Sequence, residues 1–93
     1  MPSRRISTWH YMYVLYSKKD KDFYIGYTQN LRQRFQQHNA KMSFSTKSRL
    51  PLKPIYVETC LNKQDAKRRE NSLKTTQGRR FLKLRIRQFL LEL

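Results

Sequence analysis

Two tyrosine-bearing segments joined by a short charged connection restrict this chain more than anything else in it. Tyr11-Met12-Tyr13-Val14-Leu15-Tyr16-Ser17 and Phe23-Tyr24-Ile25-Gly26-Tyr27-Thr28 are rich in aromatic and β-branched residues, the composition of strands. Lys18-Lys19-Asp20-Lys21 between them is polar and suits a turn, so the pair predicts a β-hairpin. Side chains alternate across a strand, so the loop length decides which of them meet. An even loop pairs Ser17 with Asp22 and puts Tyr13 and Tyr24 on one face; an odd loop separates them.

The chain has 93 residues, enough for one small domain that buries only about two-thirds of its unfolded surface. We expect a flexible basic arm over residues 1–9, carrying Arg4 and Arg5, and a single domain over 10–93. Lys plus Arg number 21 against 6 Asp plus Glu, a formal net charge of +15. So basic a chain repels itself when compact and calls for a polyanion. Nucleic acid is the leading partner and an acidic membrane surface the second. The charge is not gathered in a tail, which favours a folded binding face. No apolar run approaches the ~20 residues needed to span a bilayer. The basic N-terminus has no following apolar stretch of the secretory kind. Cys60 has no second cysteine to pair with, which fits a cytoplasmic location, and it reads as a small core residue.

The remaining pattern completes a mixed fold. Asn30–Asn39 predicts a helix capped by Asn30, with Leu31, Arg34, Phe35 and His38 on one face. Lys41–Lys53 has no period and reads as a loop. Ile55–Cys60, led in by Pro54, predicts a third strand. Asn62 caps a second helix whose inward face is Ala66, Arg69, Glu70 and Leu73. Gly78 is expected to break the chain, and Arg79–Leu91 to form a third helix with an apolar stripe of Leu82, Ile86, Phe89, Leu90 and Leu93. Arg79, Lys83 and Arg87 line another side of it at four-residue spacing. The order β-β-α-β-α-α gives an α+β fold: a three-stranded, mostly antiparallel sheet flanked by helices.

Three residues depart from these patterns. Arg34 and His38 share the helix face that should meet the sheet, and Glu70 sits on the inward face of the second helix. Singly, each has a structural reading: an arginine stem packed on apolar surface, a hydrogen-bonded histidine, an ion-pair partner or boundary residue. One carboxylate carries almost no metal information, because hard cations want several oxygens. No Cys/His cluster, glycine-rich phosphate loop or supported Ser/His/Asp arrangement offers other chemistry.

Taken jointly and in order, Tyr13, Tyr24-Ile25-Gly26, Arg34, His38-Asn39 and Ala66-Lys67-Arg68-Arg69-Glu70 resemble the GIY-YIG nuclease superfamily over about residues 10–80. The small single-domain bacterial type, related to the N-terminal domain of the excision-repair nuclease, is the nearest in form. The eleven-residue spacing selects Tyr13 over Tyr11 and Tyr16. The first motif lacks a glycine and has methionine in its middle. Tyr27-Thr28 stand where members often carry a lysine or another polar residue.

The resemblance implies a metal-dependent DNA endonuclease, with a role in repair or recombination. Tyr13, Tyr24, Arg34, His38 and Glu70 would be catalytic, and Glu70 would hold one Mg²⁺ or Mn²⁺. Tyr13 would accept a proton from the attacking water, nearby cations lowering its phenol from the usual ~10. Tyr24 would bind the water or phosphate, Arg34 would clamp the phosphoryl oxygens, and His38 would orient Tyr13 or relay its proton. Gly26, Asn39, Lys47, Arg49, Arg69, Arg79, Lys83 and Arg87 are the candidate nucleic-acid contacts, to DNA with RNA left open. A non-catalytic nucleic-acid-binding module on the same fold is the alternative, and an RNA- or ribosome-binding protein a third reading. Substrate form and oligomeric state are left open.

Overall fold

The computed structural model describes residues 8–40, 49 and 51–93. Most of the expected N-terminal arm, most of the Lys41–Lys53 loop, and Lys47 lie outside the described residues. Strand β1 (His10–Ser17) pairs antiparallel with β2 (Asp22–Thr28), with Ser17 opposite Asp22, Leu15 opposite Tyr24 and Tyr13 opposite Gly26. The connection is the even one. Lys21 closes it in the left-handed region at φ 55°, its amide donating to the Ser17 carbonyl at 2.8 Å. Alternation then sends Tyr13, Leu15 and Tyr24 to one face, and Met12, Val14, Tyr16, Phe23 and Ile25 to the other.

Helix α1 (Leu31–Asn39) starts where the Asn30 side chain accepts from the Gln33 amide at 3.0 Å. Strand β3 (Leu52–Cys60) pairs antiparallel with the free side of β1, giving the sheet order β2-β1-β3. It begins three residues before the expected Ile55. Leu52, buried opposite Ser17, continues the ladder past a bulge in which Val14 faces Tyr56 and Leu15 faces Pro54. A bulge leaves one residue unpaired, here Ile55, and suits a proline-bearing edge strand.

Helices α2 (Lys63–Leu73), α3 (Thr76–Arg85) and α4 (Arg87–Leu91) follow. The α+β class and the order β-β-α-β-α-α are as expected, with the last helix divided. Ile86 leaves helical geometry at φ −110° and ψ 29°. The bend lets Ile86 bury and brings the Phe89 ring edge-on to Tyr16 at 5.9 Å. It also interrupts the expected Arg79/Lys83/Arg87 row, since Arg87 opens the next helix. Leu93 does not complete the apolar stripe; it is 62% exposed. Cys60 is likewise no core residue: it sits half-exposed at the end of β3, its thiol donating to the Asn62 carbonyl at 3.4 Å.

The sheet buries both faces. Met12, Val14, Tyr16, Phe23 and Ile25 pack with Leu73, Leu82 and Ile86 of the later helices. Tyr13, Leu15 and Leu52 pack with Tyr24 and with Leu31 and Phe35 of α1. The methionine in the middle of Tyr11-Met12-Tyr13 is therefore a core residue of the helix-covered face, 1% exposed.

Gly78 does not break the chain. It lies in the first turn of α3, its amide donating to the Thr75 hydroxyl at 3.0 Å. A Cβ there would stand 2.0 Å from the Ser72 carbonyl oxygen and 2.5 Å from the Leu73 Cα. The glycine is a close-approach residue that lets α3 start against the end of α2. Gly78→Ala should therefore destabilise the fold by roughly 1–3 kcal/mol despite alanine's better helix propensity, read as a lower urea midpoint.

Candidate active site

Tyr13 is the centre of the site, and Gly26 decides where its side chain goes. A Cβ on Gly26 would lie 2.5 Å from both the Tyr13 ring carbon Cζ and its hydroxyl oxygen. The bare backbone of β2 thus leaves room for the Tyr13 ring to lie across it. Because β2 is an edge strand, the hydroxyl is carried toward the sheet's margin. Gly26 is buried beneath the ring, so its role here is space; it is no surface contact.

Helix α1 brings two polar groups to that hydroxyl. Arg34 Nε donates to Tyr13 Oη at 3.2 Å, and His38 Nε2 lies 3.0 Å from it. The i, i+4 spacing aligns both on the face toward the sheet, as expected. Arg34 also donates from Nη1 to Gln37 Oε1 at 3.0 Å, which fixes the guanidinium plane. The Tyr24 phenol supports the charge of Arg34, and the Tyr24 ring stands edge-on to His38 at 5.3 Å.

Electrostatics set the charge state of the Tyr13–His38 pair. His38 is 1% exposed, and burial first, then the Arg34 charge, push its pKa down to about 4. At neutral pH its imidazole is uncharged, and in the tautomer with the proton on Nδ1 its Nε2 accepts from the Tyr13 hydroxyl. Tyr13 departs from expectation. Burial raises its pKa above 10, and the Arg34 hydrogen bond and charge only partly oppose this. The surrounding cations do not make it a ready phenolate. Its oxygen accepts from Arg34, and in that tautomer its proton goes to His38, so a second lone pair can take a water.

Glu70 arrives on α2, from the opposite side of the sheet. It is 14% exposed at the side chain and paired with Lys74 at 3.0 Å. Its charge acts on both Tyr13 and Tyr27, raising the pKa of each behind the effect of burial. No group of three or more His, Cys, Asp or Glu able to hold a metal occurs among the described residues. A lone, partly buried carboxylate fits a hard cation only when phosphate and water supply the other oxygens.

Three of the expected phosphate contacts are engaged elsewhere. Arg49 grips Asp20 at 2.7 Å and the Phe23 carbonyl at 3.1 Å, clasping the hairpin turn. Arg69 makes a two-pronged bond to Glu58, at 3.0 and 3.1 Å, and stacks on Phe81 at 4.4 Å. Arg79 ties α3 to Asp22 at 2.8 Å. Lys83 and Arg87 are exposed, but they belong to α3 and α4, which cover the face opposite Tyr13. Asn39 is exposed at the end of α1 beside His38.

Sequence reading missed a second tyrosine–histidine pair. Tyr27 Oη lies 2.8 Å from His10 Nδ1 with the two rings stacked at 6.0 Å, and the Lys67 ammonium sits 5.0 Å from the Tyr27 ring centre. The signal was available in the register. Tyr27 faces Met12, and His10, two residues before Met12, falls diagonally beside it on the same face.

A GIY-YIG catalytic-domain model matches residues 9–85. The chain is 40% identical over 76 residues to a UPF0213 protein of Staphylococcus haemolyticus, covering 81% of this chain and 92% of that protein. It is 38% identical over 81 residues to one of Oceanobacillus iheyensis, covering 86% and 91%. It is 43% identical over 65 residues to one of Streptococcus pneumoniae, covering 69% and 65%. No solved structure matches significantly. The chain belongs to the GIY-YIG family, and with it to a nuclease superfamily.

The depressed His38 pKa fixes a sign for stability against pH. The folded pKa of about 4 lies below the unfolded ~6.5, so the unfolded chain binds the extra proton in between. Stability should be full above pH ~6.5 and fall on acidification toward pH ~4, by up to roughly 3 kcal/mol. Urea midpoints across that window should show the slope in the wild type and lose most of it in His38→Gln.

Proposed function

We propose that this protein is a metal-dependent endonuclease acting on DNA, in which Tyr13, Tyr24, Arg34, His38 and Glu70 form one active site. The observation that carries this reading is the Tyr13 hydroxyl, poised between the Arg34 donor at 3.2 Å and the neutral His38 acceptor at 3.0 Å. A structural tyrosine needs one partner; this one has a cation and a base, and its remaining lone pair is left for a water.

In this reading Tyr13 does not act as a stored phenolate. A water bound at its free lone pair gives up a proton to Tyr13 as the Tyr13 proton passes to His38 Nε2. The pair accomplishes together what a phenol with a raised pKa does poorly alone. Arg34 moves charge onto the phosphoryl oxygens as they become more negative, the role a fixed guanidinium fork serves. Tyr24, at the half-exposed rim, orients the water or the phosphate. A divalent cation, Mg²⁺ or Mn²⁺, held by Glu70 together with the substrate, would supply positive charge at the scissile phosphate. Lys74 would exchange Glu70 for the phosphate when that cation enters.

Phosphate contacts flanking the site fall to exposed cations near it, Arg32 on α1 and Lys63 and Lys67 on α2, in addition to Lys83 and Arg87 on the far side. Such contacts hold DNA without reading its sequence. No described helix is long and apolar enough to cross a membrane, and the net charge of +15 suits a polyanion.

With supercoiled plasmid and Mn²⁺, the wild type should produce nicked circles. Tyr13→Phe, Arg34→Ala and Glu70→Ala should each lower that rate by about 10²–10⁴-fold. DNA binding, followed by fluorescence anisotropy without metal, should change little in Tyr13→Phe. Wild type and Glu70→Ala nicking at equal rates, or neither nicking at all, would refute the enzyme and leave a binding module. Calorimetric titration of the protein alone with Mn²⁺ should show only weak uptake, strengthened when a DNA duplex is present.

A further inference from the structure

The Tyr27–His10 pair has no part in the chemistry assigned to Tyr13. It repeats that arrangement on the other face of the sheet. In each pair a tyrosine hydroxyl meets a histidine nitrogen, at 3.0 Å for Tyr13–His38 and 2.8 Å for Tyr27–His10. Both tyrosines feel the charge of Glu70. Tyr13 reaches across β2 over Gly26, and Tyr27 follows Gly26 directly in the chain with its side chain on the reverse face. The Tyr13 hydroxyl thus lies over β2 on one face and the Tyr27 hydroxyl meets His10 of β1 on the other, with Glu70 within electrostatic reach of both.

We propose that Tyr27 is a catalytic acid for the departing sugar oxygen, with His10 and Lys67 as the groups that make it one. This rests on the nuclease reading and assigns the half of the reaction which Tyr13 and His38 leave unserved. Hydrolysis by in-line attack needs a base on the water's side of the phosphorus and a proton source on the other. Among the described residues, His10 is the one hydrogen-bond partner of the Tyr27 hydroxyl. With His10 Nδ1 protonated and donating, the phenol's own proton is free to point outward to a substrate. Tyr27 is half-exposed while His10 is buried, so the phenol stands at the surface with its histidine partner behind it. The groups around Tyr27 are His10 from β1, Lys67 and Glu70 from α2, and Cys60 at the end of β3.

The step balances without a further reactant. The water oxygen bonds to phosphorus, its proton going to the Tyr13–His38 pair. The bond from phosphorus to the sugar oxygen breaks, and that oxygen keeps the electron pair and takes the Tyr27 proton. The Tyr27 phenolate is held by the His10 N–H and the nearby Lys67 ammonium until solvent returns a proton. The products are a phosphate monoester end and a hydroxyl end.

The test replaces the leaving oxygen with one that needs no acid. Duplexes carry a single bridging sulfur, at the 3′ position in one and the 5′ position in another, within an otherwise ordinary labelled strand. A thiolate leaves unprotonated, so the bonds on either side serve as controls in the same molecule. In Tyr27→Phe, cutting at oxygen bonds should fall about 10²-fold or more, while cutting at the sulfur bond of one of the two duplexes stays within a few-fold of wild type. Anisotropy should show unchanged duplex binding by Tyr27→Phe, separating chemistry from misfolding. His10→Asn, which keeps a donor amide, should retain more oxygen-bond cutting than His10→Leu. Wild-type oxygen-bond cutting in Tyr27→Phe, or an equal loss at oxygen and sulfur bonds in both duplexes, overturns the assignment while the nuclease reading stands. Absence of cutting by the wild type overturns that reading and this inference with it.

Discussion

The passage of the Tyr13 ring across the bare backbone of Gly26 is the contact on which the site depends. It needs three things together: the even hairpin connection that sets Tyr13 opposite position 26, the absence of a side chain there, and the edge position of β2. A one-residue slip would turn Tyr13 into the face now filled by Met12, Val14 and Ile25. Helix α1 then meets the phenols of Tyr13 and Tyr24 on a largely apolar surface. Arg34 and His38 contact them while Leu31 and Phe35 bury beside them. Packing and chemistry thus share one face of a nine-residue helix.

What the sequence disclosed about this arrangement was local. Alternation is a property of adjacent residues, so the hairpin, its two alternative registers and the inward Arg34 and His38 could be read in advance; the structure selects the even register, with Lys21 in the left-handed region. The caps at Asn30 and Asn62 follow from the same short-range rules. What escaped involved partners far apart in the chain. Arg49 meets Asp20 across 29 positions and Arg79 meets Asp22 across 57, so their engagement could not be seen from charge patterning. Gly78 looked like a breaker because glycine's permissiveness is its local signature; the close approach of α2 is a tertiary fact. The bend at Ile86 arises likewise from what Phe89 packs against.

Tyr13 marks the point where local reasoning about chemistry was wrong in sign. A basic environment suggests an acidified phenol, yet the burial that orders the site opposes ionisation more strongly than Arg34 favours it. The same burial keeps His38 neutral. One physical cause therefore keeps the Tyr13 phenol protonated and the His38 imidazole neutral.

The ion pairs have a consequence for the molecule as a whole. Five of the six acidic residues are bound to arginine or lysine within the fold. They act as internal fasteners, and little negative charge remains to temper the outer surface. The compact chain holds a concentrated positive field that its own residues do not neutralise, and unfolding dilutes that field. A polyanion lying on the folded surface removes that incentive to unfold, by mass action and charge compensation, without any bond being cut. A nucleic acid bound to the folded chain would thereby enter its folding equilibrium, with ionic strength setting the size of that linkage.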